Sequence, residues 1–326
     1  MRRPIGESKE YDRDLRRLAD QGVSAEAIFM ELALDDVGRA LETLKDAYGG
    51  SQHVDGRVSM EVLASLADDT EGTEQMVRDI WHRVQRPNLM VKIPATEAGI
   101  PAIEKMLYEG YSINITLIFG LGFYRKVAEA YVRAMERRYV EGKPLADIGS
   151  VASFFVSRVD TKVDKRLDGL VEEGKLQADQ ARSLKGRAAV ANAKLAYEIY
   201  QEIFKSERFK KLEQAGASTQ RCLWASTSTK NPDYSDVLYV EDLIGPDTVN
   251  TLPRKTLDAY VDHGDPASRL EDGLEDAKAL ISQLEEVGID MKQVTDDLLD
   301  EGVAAFVRDF DKLLEKIRTK AEVVAI

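Results

Sequence analysis

Six short apolar runs alternate along this chain with longer segments in which apolar residues recur every three or four positions. The short runs predict buried β-strands and the longer segments predict amphipathic helices. Strands that alternate with helices indicate βα units around a parallel sheet. The predicted strands are residues 57–62, 89–93, 112–117, 151–156, 221–226 and 248–252. The clearest helical segments are residues 73–84, 100–110, 123–138 and 188–204.

The domain organisation follows from length and composition. A chain of 326 residues fits either two ordinary domains or one α/β barrel. No repeat, low-complexity tract or Pro/Gly linker marks a second domain. We therefore expect one domain over residues 1–326, with barrel elements recognisable from about residue 57 to residue 266 and charged helices packing on them in residues 267–326.

The charge of the chain excludes several classes of partner. A net charge of −13 offers no broad basic surface for a phosphate backbone, so we expect neither nucleic acid nor an anionic membrane as a partner. No apolar run approaches the roughly 20 residues that span a bilayer. An anionic ligand must therefore meet a local cluster of positive charge.

The cysteine and histidine residues indicate the cellular compartment and whether a metal site is expected. The single cysteine, Cys222, excludes an intramolecular disulfide and suits a reducing cytosol. Three scattered histidines and no Cys-x-x-Cys motif do not predict a zinc site. Residues 1–11 are charged and lack the apolar core of a signal peptide. We expect a cytoplasmic protein without a bound metal.

The first three predicted strands have one apolar face and one polar face, because side chains alternate across a strand. A polar face is commonly a solvent face. In a parallel sheet, however, helices cover one side, and a barrel turns the other side inward with its active site at the carboxyl ends of the strands. We therefore expect the polar face to point inward. It carries Ser59, Glu61, Met90, Lys92, Ser112, Asn114 and Thr116.

Lys92 is the residue on this face that packing explains least, because a charged ammonium is costly to desolvate. A lone strand lysine is more often ion-paired, or reaches solvent along an apolar surface, than it is a nucleophile. In a tight, partly apolar site a lysine can be a neutral amine that attacks a carbonyl and forms a Schiff base. Glu61 and Thr116 could hold a water beside it, and Asn114 could bind a hydroxyl.

Four runs, in order along the chain, closely resemble transaldolase, in the bacterial subgroup with the longer C-terminal region. They are NLMVKIPAT, GYSINITLIF, SVASFFVSRVD and WASTSTKNPDYSDVLYVEDLIGPDTVNT. The resemblance extends from about Ile5 to the C-terminus. It implies a (β/α)8 TIM barrel of the class I aldolase type. It also implies transfer of a dihydroxyacetone unit between sugar phosphates in the non-oxidative pentose phosphate pathway, with no metal or organic cofactor.

The resemblance also assigns roles to individual residues. Lys92 matches the Schiff-base lysine, Glu61 the carboxylate that works with the catalytic water, and Thr116 the residue that helps to hold that water. The positions matched to substrate binding are Asn114, Ser153, Arg158, Ser226 and Lys230. Among them Arg158 offers a planar donor fork for phosphate and Lys230 a point charge. They supply the local positive cluster that an anionic ligand needs.

The sequence departs from the family at its start. The family opens with two strands, the first with an aspartate that handles protons in bond cleavage and the second with a Thr-Thr-Asn-Pro motif, and this sequence shows neither. Roughly one βαβ unit, on the order of 30 residues, is absent. We therefore expect a barrel incomplete at its N-terminus, whose two free strand edges favour pairing with another chain. Either the gene model of an active transaldolase is truncated or the activity is impaired.

Two other hypotheses remain open. A different Schiff-base aldolase would share the inward lysine and release free dihydroxyacetone without an acceptor. A non-catalytic sugar-phosphate binder would bind its ligand without turnover. A homo-oligomer is compatible with the sequence, and so is more than one ketose substrate.

Overall fold

The computed structural model describes Ile5 and residues 8–324, and in this part of the chain six strands form one parallel sheet in chain order. The strands are β1 Val58–Glu61, β2 Leu89–Pro94, β3 Ile113–Ile118, β4 Ser150–Phe155, β5 Arg221–Ala225 and β6 Thr248–Asn250. All six predicted strands are confirmed, because no end differs from the prediction by more than two residues.

Helices join the strands and extend the chain at both ends, and the four helical segments predicted above are confirmed. Short 3-10 turns lie at Lys9–Tyr11 and Ala64–Leu66. The α-helices are α1 Asp12–Ala19, α2 Ala25–Thr43, α3 Lys45–Gly50, α4 Thr70–Val84, α5 Gly99–Glu109, α6 Leu121–Val140, α7 Ser157–Glu172, α8 Ala178–Leu184, α9 Ala188–Phe204, α10 Glu207–Gln214, α11 Leu238–Glu241, α12 Arg254–His263, α13 Leu274–Glu286 and α14 Met291–Val324.

The main hydrophobic core lies between the sheet and these helices. Val91 of β2 and Ile115 of β3 are fully buried there, in one cluster with Met106 of α5 and Tyr131 of α6. Burial of an aliphatic side chain contributes about 1.5–3 kcal/mol. A slip of one residue in register would move every apolar side chain of a strand to the opposite face. This core therefore fixes which side chains point inward.

The other face of the sheet encloses a central cavity of about 690 Å3. All six strands line it: the strand residues at its wall are Val58, Ser59, Glu61, Met90, Lys92, Asn114, Val151, Ser153, Arg221, Leu223, Ala225 and Val249. Because β1 and β6 lie at opposite ends of the strand order and border the same cavity, the sheet curls around it as in a barrel. In the described part of the chain no pairing joins β1 to β6, so both are edge strands.

The C-terminal helices pack on this body. α13 lies against α9, and α14 contacts α7 before it reaches α2 and α1. Organisation of residues 1–326 as one domain stays a prediction. Among the described residues, none of the helices combines the length and apolar character needed to cross a membrane.

Asp160 of α7 is a buried carboxyl group that joins three helices. It accepts a hydrogen bond from the Ala189 N–H at the start of α9 at 2.7 Å and from the Tyr239 hydroxyl of α11 at 2.8 Å. Burial raises the pKa of Asp160 to about 6, from an ordinary value of 3.8. Asp160 therefore connects α7 to α9 and α11, and above about pH 6 it does so as a buried, poorly solvated carboxylate.

The variant Asp160→Asn tests this assignment. The folded protein binds the Asp160 proton more tightly than the unfolded chain does, so the contribution of this carboxyl to stability is lost as the pH rises through about 6. The amide does not titrate. We therefore expect the free energy of unfolding of the variant, minus that of wild type, to become more positive by up to about 3 kcal/mol between about pH 4 and pH 7.

Urea denaturation across this pH range measures the difference. Asp179→Asn is the control, because it makes the same carboxyl-to-amide change at a side chain that is 91% exposed, so Asp160→Asn should show the larger dependence on pH. A difference between Asp160→Asn and wild type that does not vary with pH would contradict the assignment.

Candidate active site

Lys92 and Glu61 lie side by side on the inner face of the sheet. The register of β1, β2 and β3 places Lys92 opposite Glu61 on one side and Asn114 on the other. Lys92 Nζ is 3.7 Å from Glu61 Oε2, and the two side chains are 26% and 28% exposed. Burial raises the pKa of Glu61, and the charge of Lys92 opposes this shift. A primary amine and a proton-exchanging carboxyl group thus meet in one cavity.

A chain of hydrogen bonds fixes Asn114 beside the amine. The Ser153 hydroxyl of β4 donates to Asn114 Oδ1 at 2.7 Å, and Asn114 Nδ2 donates to the Ser59 hydroxyl of β1 at 2.9 Å. These bonds cross the inner face from β4 to β1, above β2. Ser59 received no role in the sequence analysis, although its place on the polar face, two residues before Glu61, was visible there.

Thr116 lies two residues beyond Asn114 on β3, on the same face by strand alternation. It is 1% exposed, and within the described residues its hydroxyl has no hydrogen-bond partner. Leu117 follows with a left-handed φ of 57°, where the β3–β4 register shifts. A non-glycine residue in this conformation stores about 1–3 kcal/mol of strain, and such irregularities often re-aim side chains at sites. Thr116 is not one of the residues that line the central cavity.

Three other predicted residues lie beyond the carboxyl ends of β4 and β5. Arg158 is the second residue of α7, and its guanidinium lies 5.4 Å from the ring centre of Phe155. Ser226 follows β5 with a left-handed φ of 57°, and its hydroxyl is 3.0 Å from that of Ser157. Lys230 is exposed in the loop that continues from there. The loop after β5 thus contacts the start of α7.

Six of the eight predicted site residues form two groups, and Thr116 and Ser226 line neither space. Lys92, Glu61, Asn114 and Ser153 line the central cavity. Arg158 and Lys230 line a second space of about 590 Å3, bordered by α7 and α14, which we call the α7–α14 groove. Within the described residues neither cation pairs with an acidic side chain, so both can bind an anion. The same part of the chain contains no cluster of His, Cys, Asp and Glu side chains arranged to hold a metal ion.

The buried hydroxyl of Thr116 leads to a test by Thr116→Val. Valine keeps the side-chain shape and removes a polar group that has no partner in the described protein, so the usual cost of losing a hydrogen bond does not apply. We expect the free energy of unfolding to be unchanged within about 0.5 kcal/mol, or to rise.

Thr73→Val is the matched control for this measurement by urea denaturation. Thr73 is equally buried at 1% exposure, but its hydroxyl donates to the Leu66 carbonyl at 3.0 Å. Its replacement should lower the free energy of unfolding by about 1 kcal/mol. An equal loss in both variants would show that the Thr116 hydroxyl has a stabilising partner after all.

Comparison with known proteins agrees with this geometry. The family model described as Transaldolase/Fructose-6-phosphate aldolase matches residues 1–317. The chain is 46% identical to a transaldolase of Mycobacterium tuberculosis (strain ATCC 25618 / H37Rv) over 98% of its own length and 85% of that protein. It is 47% identical to a transaldolase of Thermobifida fusca, over 96% of this chain and 84% of the relative. The resemblance carried by the four sequence runs is confirmed, and the chain belongs to the transaldolase/fructose-6-phosphate aldolase family.

Proposed function

We propose that this protein is a transaldolase that transfers a dihydroxyacetone unit between sugar phosphates through a Schiff base on Lys92. The observation that carries the proposal is the position of the Lys92 amine, 3.7 Å from the Glu61 carboxylate in the central cavity. Relatives that are 45–47% identical over nearly the whole chain and are named transaldolases support it.

The first stage is formation of the Schiff base. The Lys92 amine adds to the ketone carbon of a ketose phosphate such as fructose 6-phosphate or sedoheptulose 7-phosphate, and the resulting carbinolamine loses water. Glu61 supplies the proton to the departing hydroxyl, because its raised pKa lets the carboxyl hold a proton closer to neutral pH than an ordinary glutamate does. Thr116, whose buried hydroxyl has no protein partner among the described residues, holds the water that relays this proton once the substrate is bound.

The second stage is transfer of the three-carbon unit. The hydroxyl on the fourth carbon of the ketose gives its proton, through water, to the Glu61 carboxylate as the carbon–carbon bond breaks. The protonated imine accepts the electron pair of that bond, and an aldose phosphate leaves with the new carbonyl. The enamine that remains on Lys92 adds to the aldehyde of the acceptor, either glyceraldehyde 3-phosphate or erythrose 4-phosphate, and water then frees the new ketose. Asn114 and Ser153 hold the hydroxyls of the donor unit, since their side chains are already oriented by mutual hydrogen bonding.

The phosphate of the substrate binds outside the central cavity. Arg158 gives a planar pair of donors, Lys230 gives a point charge, and the Ser226 hydroxyl lies at the junction between the β5 loop and α7. A sugar phosphate that spans from Lys92 to this cluster has its ketone and its phosphate fixed at two separate points. Such two-point binding orients the reacting bond.

A second candidate activity comes from the family itself, whose description includes fructose-6-phosphate aldolase. That reaction would use the same amine and carboxylate but would release free dihydroxyacetone. A non-catalytic binder would form no covalent adduct at all. The cytoplasmic location, the oligomeric state, and the absence of two N-terminal strands stay predictions from the sequence.

Trapping of the imine tests the proposal. We expect sodium borohydride, added to the protein with fructose 6-phosphate, to reduce the imine to a stable secondary amine on Lys92. Mass spectrometry of the digested protein should find the added mass on the peptide that contains Lys92. The same treatment of Lys92→Met should give no adduct on that peptide. An unmodified Lys92 in folded wild-type protein would overturn the proposed mechanism.

A further inference from the structure

The α7–α14 groove concentrates positive charge in a chain whose net charge is −13. Four of its cations repeat along one face of α7, at positions i, i+4, i+7 and i+8, which helical geometry brings to the same side. The fifth comes from the loop after β5. The cations are Arg158, Lys162, Lys165, Arg166 and Lys230, and the acidic residues at the groove are Asp297 and Glu301 of α14.

Two of the five cations are neutralised by α14. Lys162 Nζ lies 2.6 Å from Glu301 Oε1 and 3.4 Å from Asp297 Oδ2. Arg166 Nη2 lies 2.6 Å from the same Asp297 oxygen. Gln293, one turn earlier on α14, donates to the other Asp297 oxygen at 2.6 Å, so the carboxylate is held toward α7. The Lys162 and Arg166 side chains are only 16% and 29% exposed and Asp297 is 33% exposed, so the pairs with Asp297 are partly shielded from solvent, whereas Glu301 is 64% exposed.

The other three cations have no acidic partner within the described residues. They are Arg158, Lys165 and Lys230. With two cations paired, the groove retains a net charge of about +3, which one phosphate dianion compensates without excess negative charge. Lys162 is one helical turn from Arg158, about 6 Å along the axis, and Arg166 is two turns away. A second phosphate on the same ligand would therefore reach the section of the groove that Asp297 and Glu301 occupy.

We propose that Asp297 and Glu301 are specificity-determining residues, which restrict the α7–α14 groove to ligands that carry a single phosphate. They do so by neutralising Lys162 and Arg166 and by opposing a second phosphate with two carboxylates. The inference rests on the proposed function, because it takes this groove as the place where the phosphate of the sugar substrate binds.

Direct binding of two inorganic probes separates this inference from the catalytic proposal. Inorganic phosphate reports the single-phosphate site, and tripolyphosphate is long enough to reach Lys162 from Arg158. Isothermal titration calorimetry at constant ionic strength gives Kd for each probe, with no need for turnover. The informative variant is Asp297→Asn/Glu301→Gln, which keeps the side-chain shapes and removes two negative charges.

We expect tripolyphosphate to bind this variant about tenfold or more tightly than wild type, and phosphate to gain less than about threefold. Asp296→Asn/Asp300→Asn is the matched control. It makes the same change in net charge on the same helix, but Asp296 and Asp300 line a different cavity, beside Lys292 and Thr295. The control should change neither Kd by more than about twofold. A cooperative urea transition for each variant establishes that it is folded.

A second variant tests the same proposal by removing the two paired cations instead of the carboxylates. Lys162→Met/Arg166→Met leaves the two carboxylates without their cations, and we expect tripolyphosphate binding to weaken relative to wild type. The inference would be overturned if Asp297→Asn/Glu301→Gln gained equally for both probes, or if the control variant gained as much. It would also be overturned if neither Asp297→Asn/Glu301→Gln nor Lys162→Met/Arg166→Met changed the affinity for tripolyphosphate, or if phosphate did not bind to wild type. Imine trapping at Lys92 would be unaffected by any of these results, so the two proposals fail separately.

Discussion

Burial of one face of β2 decides where the lysine points. Leu89, Val91 and Ile93 are fully buried against the helical layer. Because side chains alternate along a strand, this packing forces Lys92 toward the central cavity. Turning the strand over would place an ammonium in the helix-packed core, at a cost of several kcal/mol. The chemistry proposed for this protein therefore depends on ordinary apolar packing on the opposite side of the sheet.

The same sheet also connects the inner face to the residues proposed to bind phosphate. β4 runs from Ser153, beside Asn114, directly into α7 with Arg158 at its start. The Ser157 N–H donates to the Ser226 carbonyl at 3.0 Å, which joins the β5 loop to the first turn of α7. Asp160, one turn later, ties α7 to α9 and α11. The two ends of a sugar phosphate would thus meet groups held by continuous backbone.

Much of this arrangement follows from sequence periodicity. The alternation of apolar and polar residues predicted the strands, and with the expectation of a barrel it placed Glu61, Lys92 and Asn114 on one inner face. The burial of Thr116 outside the lining of the central cavity, and the left-handed φ of Leu117 beside it, could not be predicted from the strand pattern. The role of Ser59 also required the structure, since its partner Asn114 is 55 residues away.

The ion pairs of the α7–α14 groove could not be predicted from the sequence, for the same reason. Arg166 and Asp297 are 131 residues apart, and both stand in charged helical segments that look like solvated faces. Only the packing of α14 on α7 brings them together. Long-range contacts between polar residues leave no periodic signature, whereas burial of apolar residues does. This is why the polar inner face could be predicted from the sequence and the ion pairs of the α7–α14 groove could not.

The transfer mechanism proposed for Lys92 is tested by following the three-carbon unit itself. Fructose 6-phosphate labelled with carbon-13 in its first three carbons would be mixed with erythrose 4-phosphate and the protein, and the products resolved by NMR. A transaldolase that works through Lys92 should place the label in sedoheptulose 7-phosphate, with none transferred by Lys92→Met. Label released as free dihydroxyacetone, or transferred by Lys92→Met at the wild-type rate, would contradict transfer through Lys92.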